Sequence, residues 1–292
     1  MDAGADVPVT IDGAVDDVGI DAADAGPIPT PDPVIPEPTG ACPTFGPAAT
    51  QIAVQPAGLP IRRARLWISE AAETLDGPLV LYWHGTGSST AEAQYGLGDA
   101  NLQAILDAGG MVIAPESDPD SGTYPWFAVL DMAEDRDFRV ADELVGCAAR
   151  EVGIDVTRIH SIGMSAGGLQ TTQIGFRRSS YIASVVTYSG GLIFARRPIT
   201  DEPNNRFAAM IFHGGPDDFV GVNFKDASER YWMLLDDLGH FAAICDHGMR
   251  HTIPVDARES VGAFFDAHPW GVTSPWEDSL PTDYYAPCQL AP

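Results

Sequence analysis

Lysine is almost missing from this 292-residue chain. Lys225 is the only one, and 16 basic residues stand against 41 acidic ones, a net charge of -25. That balance excludes a nucleic-acid partner, because neutralising phosphates takes clustered cations. Apolar runs of 18 or more residues are also lacking, so no segment is expected to span a membrane. There are only four cysteines, Cys42, Cys147, Cys245 and Cys288, and none has the CxxC or Cys/His spacing of a zinc site. Neither a metal nor an organic cofactor is called for. In an exported chain such cysteines are expected to form two disulfides, with a pairing the sequence leaves open.

Residues 1–40 contain no basic and no aromatic side chain. Such a segment cannot bury enough apolar surface to offset the entropy of ordering it, so a disordered, acidic, Pro-rich tether is expected there. No charged stretch followed by an apolar one marks an export signal. A leader of this composition ahead of a cysteine-bearing domain nevertheless fits the spacer after a removed signal. An extracellular or surface-tethered protein is therefore expected, folded over residues 41–292 and acting as a monomer.

With 45% hydrophobic residues the chain can fill one large core. Strand-like segments at 63–70, 78–85, 110–117, 157–164, 182–190, 207–215 and 240–248 alternate with helix-like ones at 100–109, 139–153, 223–239 and 255–268. That alternation predicts an α/β fold around a mostly parallel sheet with helices on both faces. Several strand segments are continuous apolar runs, as strands covered on both sides should be.

One short stretch carries chemistry. In IHSIGMSAGG, residues 159–168, Ser165 sits between two glycines at the junction of an apolar strand and a helix. A lone G-x-S-x-G is weak, but a strand running straight into it makes a nucleophile elbow. A serine at its ordinary pKa attacks poorly, so a base and a group to orient it should follow in the order serine, acid, histidine. In HGGPDDFV, Asp217 is the expected acid, with Asp218 as the alternative. Among seven histidines, His251 in HGMRHTIP is favoured over His247, because the loop after the last strand can carry a base over the elbow. HGTGSS after the second strand segment is a Gly-rich turn. The N–H of Thr86, with that of Ala166, would complete an oxyanion hole.

These motifs resemble the α/β-hydrolase superfamily. Within it the chain is similar to extracellular feruloyl esterases and polyhydroxybutyrate-depolymerase-like esterases, over about residues 42–270. The resemblance rests on HGTGSS, GMSAGG, HGGPDDFV and HTIP, and it departs from the family at Met249 and Arg250, where a glycine pair is common. It implies a Ser165, Asp217, His251 triad that cleaves carboxylic esters through an acyl-enzyme, without cofactor. The 190–206 segment is too short for a lid domain. An open cleft then suits a polymeric or bulky ester, with Tyr124, Trp126 and Phe219 as candidate substrate-binding aromatics. A peptidase or amidase on the same scaffold, or a non-catalytic surface binding protein, are the rival readings.

Overall fold

Strands β1 (Gln51–Val54), β2 (Arg62–Ile68), β3 (Leu79–Trp83), β4 (Met111–Pro115), β5 (Ile159–Met164), β6 (Ser184–Tyr188), β7 (Ala208–His213), β8 (Ala242–Asp246) and β9 (Cys288–Leu290) build one sheet. Their order is β1-β2-β4-β3-β5-β6-β7-β8-β9. From β4 to β8 neighbouring strands run parallel, while β1, β2 and β9 pair antiparallel at the two margins. The structure is a computed structural model and describes residues 30–194, 198 and 200–290.

Every residue of β3, β4, β5, β6 and β7 is buried. Their side chains alternate between two cores. Leu79, Leu81 and Trp83 of β3 join the core under α3 (Arg136–Glu151), α4 (Ala166–Arg177) and α5 (Phe224–Asp237), whereas Val80 and Tyr82 join the one under α1 (Glu92–Leu97), α2 (Asp99–Asp107) and α6 (Arg258–Ala267). Covering both faces is why no period-two pattern could be read in these strands. Strands β1 and β9 were not foreseen. Each spans too few residues for a period to emerge.

The margins are tied by polar and covalent links. Arg62 is buried between Asp118 at 2.5 Å and Asp137 at 3.0 Å. Disulfides join Cys42 to Cys147 and Cys245 to Cys288, which resolves the open pairing. The tether expected over 1–40 lies outside the described residues as far as residue 29. From Thr30 to Gly40 the expected disorder gives way to contacts with the folded domain: the Pro31 carbonyl accepts from Trp270 Nε1–H at 2.8 Å, the Val34 N–H donates to the Ser180 carbonyl at 2.8 Å, and the segment reaches α3 at Gly146 and Glu143. Buried Glu143 accepts hydrogen bonds from the N–H and hydroxyl of Thr39, both at 2.8 Å, and from the Gly40 N–H at 2.6 Å. A carboxylate presented by the folded domain recruits a segment whose own composition predicts no order. In the 190–206 segment, where a lid domain was not expected, residues 195–197 and 199 lie outside the described residues. Among the described residues no helix is long and apolar enough to cross a membrane.

Candidate active site

Ser165 follows β5 with φ 56° and ψ -118°, a region that L-residues enter only under strain. The corner is closed by contact. A Cβ on Gly163 would collide with the Gly167 carbonyl, and one on Gly167 would collide with the Trp83 carbonyl. Both glycines are therefore imposed by backbone packed on backbone. The Ser165 N–H donates to the Tyr188 carbonyl at 2.8 Å, and the Ser165 carbonyl accepts the Leu169 N–H at 2.9 Å, which starts α4.

The loop after β3 lies on this corner. A Cβ on Gly85 would stand 3.3 Å from the Met164 carbonyl oxygen and 3.4 Å from Ser165 Cβ. Glu92, in the first turn of α1, fixes the loop: its Oε1 accepts from the Gly85 N–H at 3.0 Å and from the Tyr82 hydroxyl at 3.2 Å. Burial first, then the Glu92 charge, pushes the Tyr82 hydroxyl well above the ordinary tyrosine range. With Gly85 spent, the N–H groups of Thr86 and Ala166 donate to no described residue. Such free donors, Ala166 at the start of α4 and Thr86 in the loop after β3, can receive an oxygen that gains negative charge.

The carboxylate that meets His251 is Asp218, the alternative, and not the expected Asp217. Asp218 is fully buried, and its Oδ1 lies 2.7 Å from His251 Nδ1. Its Oδ2 accepts from the Ser189 hydroxyl at 2.8 Å and the Gly214 N–H at 2.9 Å. Burial alone would raise this carboxyl, but the hydrogen bonds from His251, Gly214 and Ser189 overcome it and hold Asp218 below the usual aspartate range. Asp217 is 73% exposed and only approaches Arg250, at 3.9 Å. The turn explains the difference. Gly215 accepts the Asp218 N–H at 3.1 Å, so Pro216 and Asp217 form the outward tip and the chain returns to the sheet at Asp218. Pro216 at the second position of a four-residue turn was the sequence signal for this.

His251 is held from three sides. Asp218 takes Nδ1, the Phe224 ring lies 4.7 Å away between centroids, and the backbone before it is shaped by Arg250 at φ 64°. Arg250 thus adopts the left-handed conformation that glycine would supply, and its N–H donates to the Gly214 carbonyl at 3.0 Å. His251 lines a cleft of about 320 Å³ with Met164, Glu92, Ser88 and Tyr95. Ser165 sits beside that cleft, next to Met164 and against Gly85, and its hydroxyl forms no hydrogen bond with His251 here. Catalytic hydrogen bonds in unliganded sites are often long and tighten when substrate binds. The competing histidines have other work. His84 Nδ1 faces the Gly85 carbonyl at 2.9 Å, and His213 and His247 each accept a backbone N–H two residues on, at 3.2 Å.

The three aromatics part company. Trp126 is corrected to a packing residue: it is 1% exposed, donates Nε1–H to the His84 carbonyl at 2.9 Å and meets Trp83 edge-on at 4.9 Å. Tyr124 is half-buried against the same core. Phe219 is 64% exposed beside Asp218 and stays available to a ligand.

No family model matches the chain, and no curated protein matches it in sequence. Solved structures do. The native structure of pOPH superposes with a TM-score of 0.65 at 17% identity, covering 86% of this chain and 97% of that one. The chain has the α/β-hydrolase fold. The Bacillus cereus carboxylesterase matches with a TM-score of 0.54 at 19% identity, over 70% of this chain and 93% of that one. An acylaminoacyl peptidase from Pyrococcus horikoshii matches at 0.55 and 16% identity, over 78% of this chain and 42% of that one.

Proposed function

We propose that this protein is a serine esterase in which Ser165 is the nucleophile, His251 the base and Asp218 the orienting acid. The observation that carries the reading is the buried Asp218–His251 pair at 2.7 Å, on the sheet edge where Ser165 is held in a strained backbone conformation. Asp218 keeps the proton on Nδ1 and leaves Nε2 free to take the Ser165 proton as the hydroxyl attacks an ester carbonyl. The oxyanion accepts from Thr86 and Ala166 N–H groups, each contributing about 3 kcal/mol. His251 returns the proton to the leaving alcohol, and water then releases the acyl group by the same route.

The substrate is a bulky or polymeric ester, of the kind the feruloyl and polyhydroxybutyrate-depolymerase-like esterases take. Support comes from the open cleft beside His251 and from exposed Phe219, which follows Asp218 directly in the chain. The two disulfides support a chain that matures outside the reducing cytosol. A peptidase activity is the second reading, favoured by the likeness to an acylaminoacyl peptidase. A fluorophosphonate probe and a panel of p-nitrophenyl esters and p-nitroanilides test both readings. Labelling and ester turnover are expected in the native protein and absent in Ser165→Ala, while anilide turnover above ester turnover would select the peptidase.

A further inference from the structure

In a chain so poor in cations, a guanidinium whose buried nitrogens find no acceptor is out of place. Arg177 and Arg178 share Asp135, and Arg62 binds two aspartates. Arg258, the first residue of α6, has none: among the described residues no carboxylate lies within ion-pair distance, and its Nε and Nη2 are buried without an acceptor. The residue as a whole is half-buried, but guanidinium nitrogens shut off from water ordinarily find an acceptor, because leaving them unpaired forfeits their hydration for nothing.

The surroundings hold this side chain in place rather than tolerate it. Its guanidinium lies 4.4 Å over the Tyr95 ring. Its stem fills the gap left by Gly98, where a Cβ would come within 2.8 Å of Arg258 Cδ. Its backbone carbonyl accepts from the Asn101 amide at 2.6 Å. Arg258 lines a cleft of about 300 Å³ with Gln94, Tyr95 and Asp99. Tyr95 also lines the 320 Å³ cleft of His251, so the two hollows meet at one ring. The nearby acids are already engaged: Asp99 accepts from Gln94 at 2.9 Å, and Glu92 holds Gly85 and Tyr82.

We infer that Arg258 and Tyr95 form a subsite for a carboxylate carried by the substrate, at the far end of the acyl or alcohol group whose ester bond reaches Ser165. The inference rests on the esterase reading for its place in the reaction. It narrows the substrate class to esters that also bear a free carboxylate, such as the acid end of a polyester chain or a half-ester of a dicarboxylic acid. The guanidinium then pairs with its anion only when substrate is bound.

Two substrates of equal length test this, p-nitrophenyl butyrate and the mono-p-nitrophenyl ester of succinic acid. The full chain is expected to prefer the succinate half-ester. Arg258→Met, which keeps the stem, should raise its KM roughly 10- to 100-fold, leave kcat within about twofold, and leave butyrate kinetics unchanged; Arg258→Lys should recover part of the loss. Equal loss on both esters, or no preference in the native chain, overturns the inference and leaves the esterase reading intact. If neither ester is cleaved the esterase reading falls, and calorimetric titration with methyl succinate decides the subsite: saturable binding abolished in Arg258→Met supports it, and absence of binding overturns it. Should Arg258→Met fail to fold, the lysine variant with 0.5 M salt replaces it; an undiminished succinate preference there overturns the inference, and a reduced one supports it.

Discussion

The carboxyl edge of the sheet and its two margins are built on opposite terms. At the carboxyl edge the backbone is strained: among the described residues the non-glycine positions with positive φ are Ser165, Ser189 and Arg250, all of them there. Donors at Thr86 and Ala166 are left unspent. At the margins polar groups are saturated, with Arg62 between two aspartates, Glu143 holding three donors, and disulfides at Cys42–Cys147 and Cys245–Cys288. Strain and spare hydrogen-bonding capacity persist only where the surrounding structure over-determines them. The margins supply that surplus.

Substitutions at the two places should therefore separate activity from stability. Ser165→Ala is expected to lower kcat by about 10⁶-fold while leaving the melting temperature little changed, because alanine keeps the Cβ that the positive φ must accommodate and loses only the hydroxyl. Turnover of a p-nitrophenyl ester together with calorimetry checks both. Asp218→Asn should cost about 10⁴-fold in kcat, and Asp217→Asn, at an exposed turn tip, less than about twofold. The ratio of the two variants measures which carboxylate orients His251.

The margins should answer in the other currency. Arg62→Ala leaves Asp118 and Asp137 buried together without their cation, and the unfolding free energy should fall by about 3–5 kcal/mol with kcat per folded molecule unchanged. Denaturant titration against active-site counting checks this. Asp137 is already raised by burial, opposed by Arg62, so without the arginine it should take up a proton.

The smallest effect is on acid stability. Burial pushes His160 down to about 3, and His240 and His268 down to about 4. An unfolded imidazole titrates near 6.5, so between there and these values the unfolded chain binds more protons than the folded one. Stability must then rise with pH across that window and fall on acidification. Asp218, held below the ordinary aspartate value, adds a loss of the same sign as pH falls further, through its folded value. Urea midpoints at pH 7, 5.5 and 4.5 should descend, and His240→Phe should flatten the descent.

Much of this architecture was legible in the residues. The central strands announced themselves as apolar runs, and the elbow did so through Gly163 and Gly167, whose need for glycine is backbone contact. The carboxylate facing His251 lies one position past the expected Asp217 because strand counting ignores the turn that Pro216 imposes. Trp126 was misread because an aromatic in a loop looks the same whether it faces substrate or, as here, donates inward to His84. Glu92 was passed over because its role depends on a loop seven residues upstream folding back over it, which periodicity does not reveal. Short edge strands and the strap at Thr30–Gly40 depend on partners distant in sequence, so local pattern could not disclose them.

That strap sets where the gene may be shortened. Composition invites a cut just ahead of Cys42, yet such a product would leave Glu143, 2% exposed, facing an empty groove with every hydrogen bond removed. A trimmed version meant for crystals or for industry should begin before Thr30, and one begun at residue 41 should yield aggregated material even with Ser165, Asp218 and His251 intact.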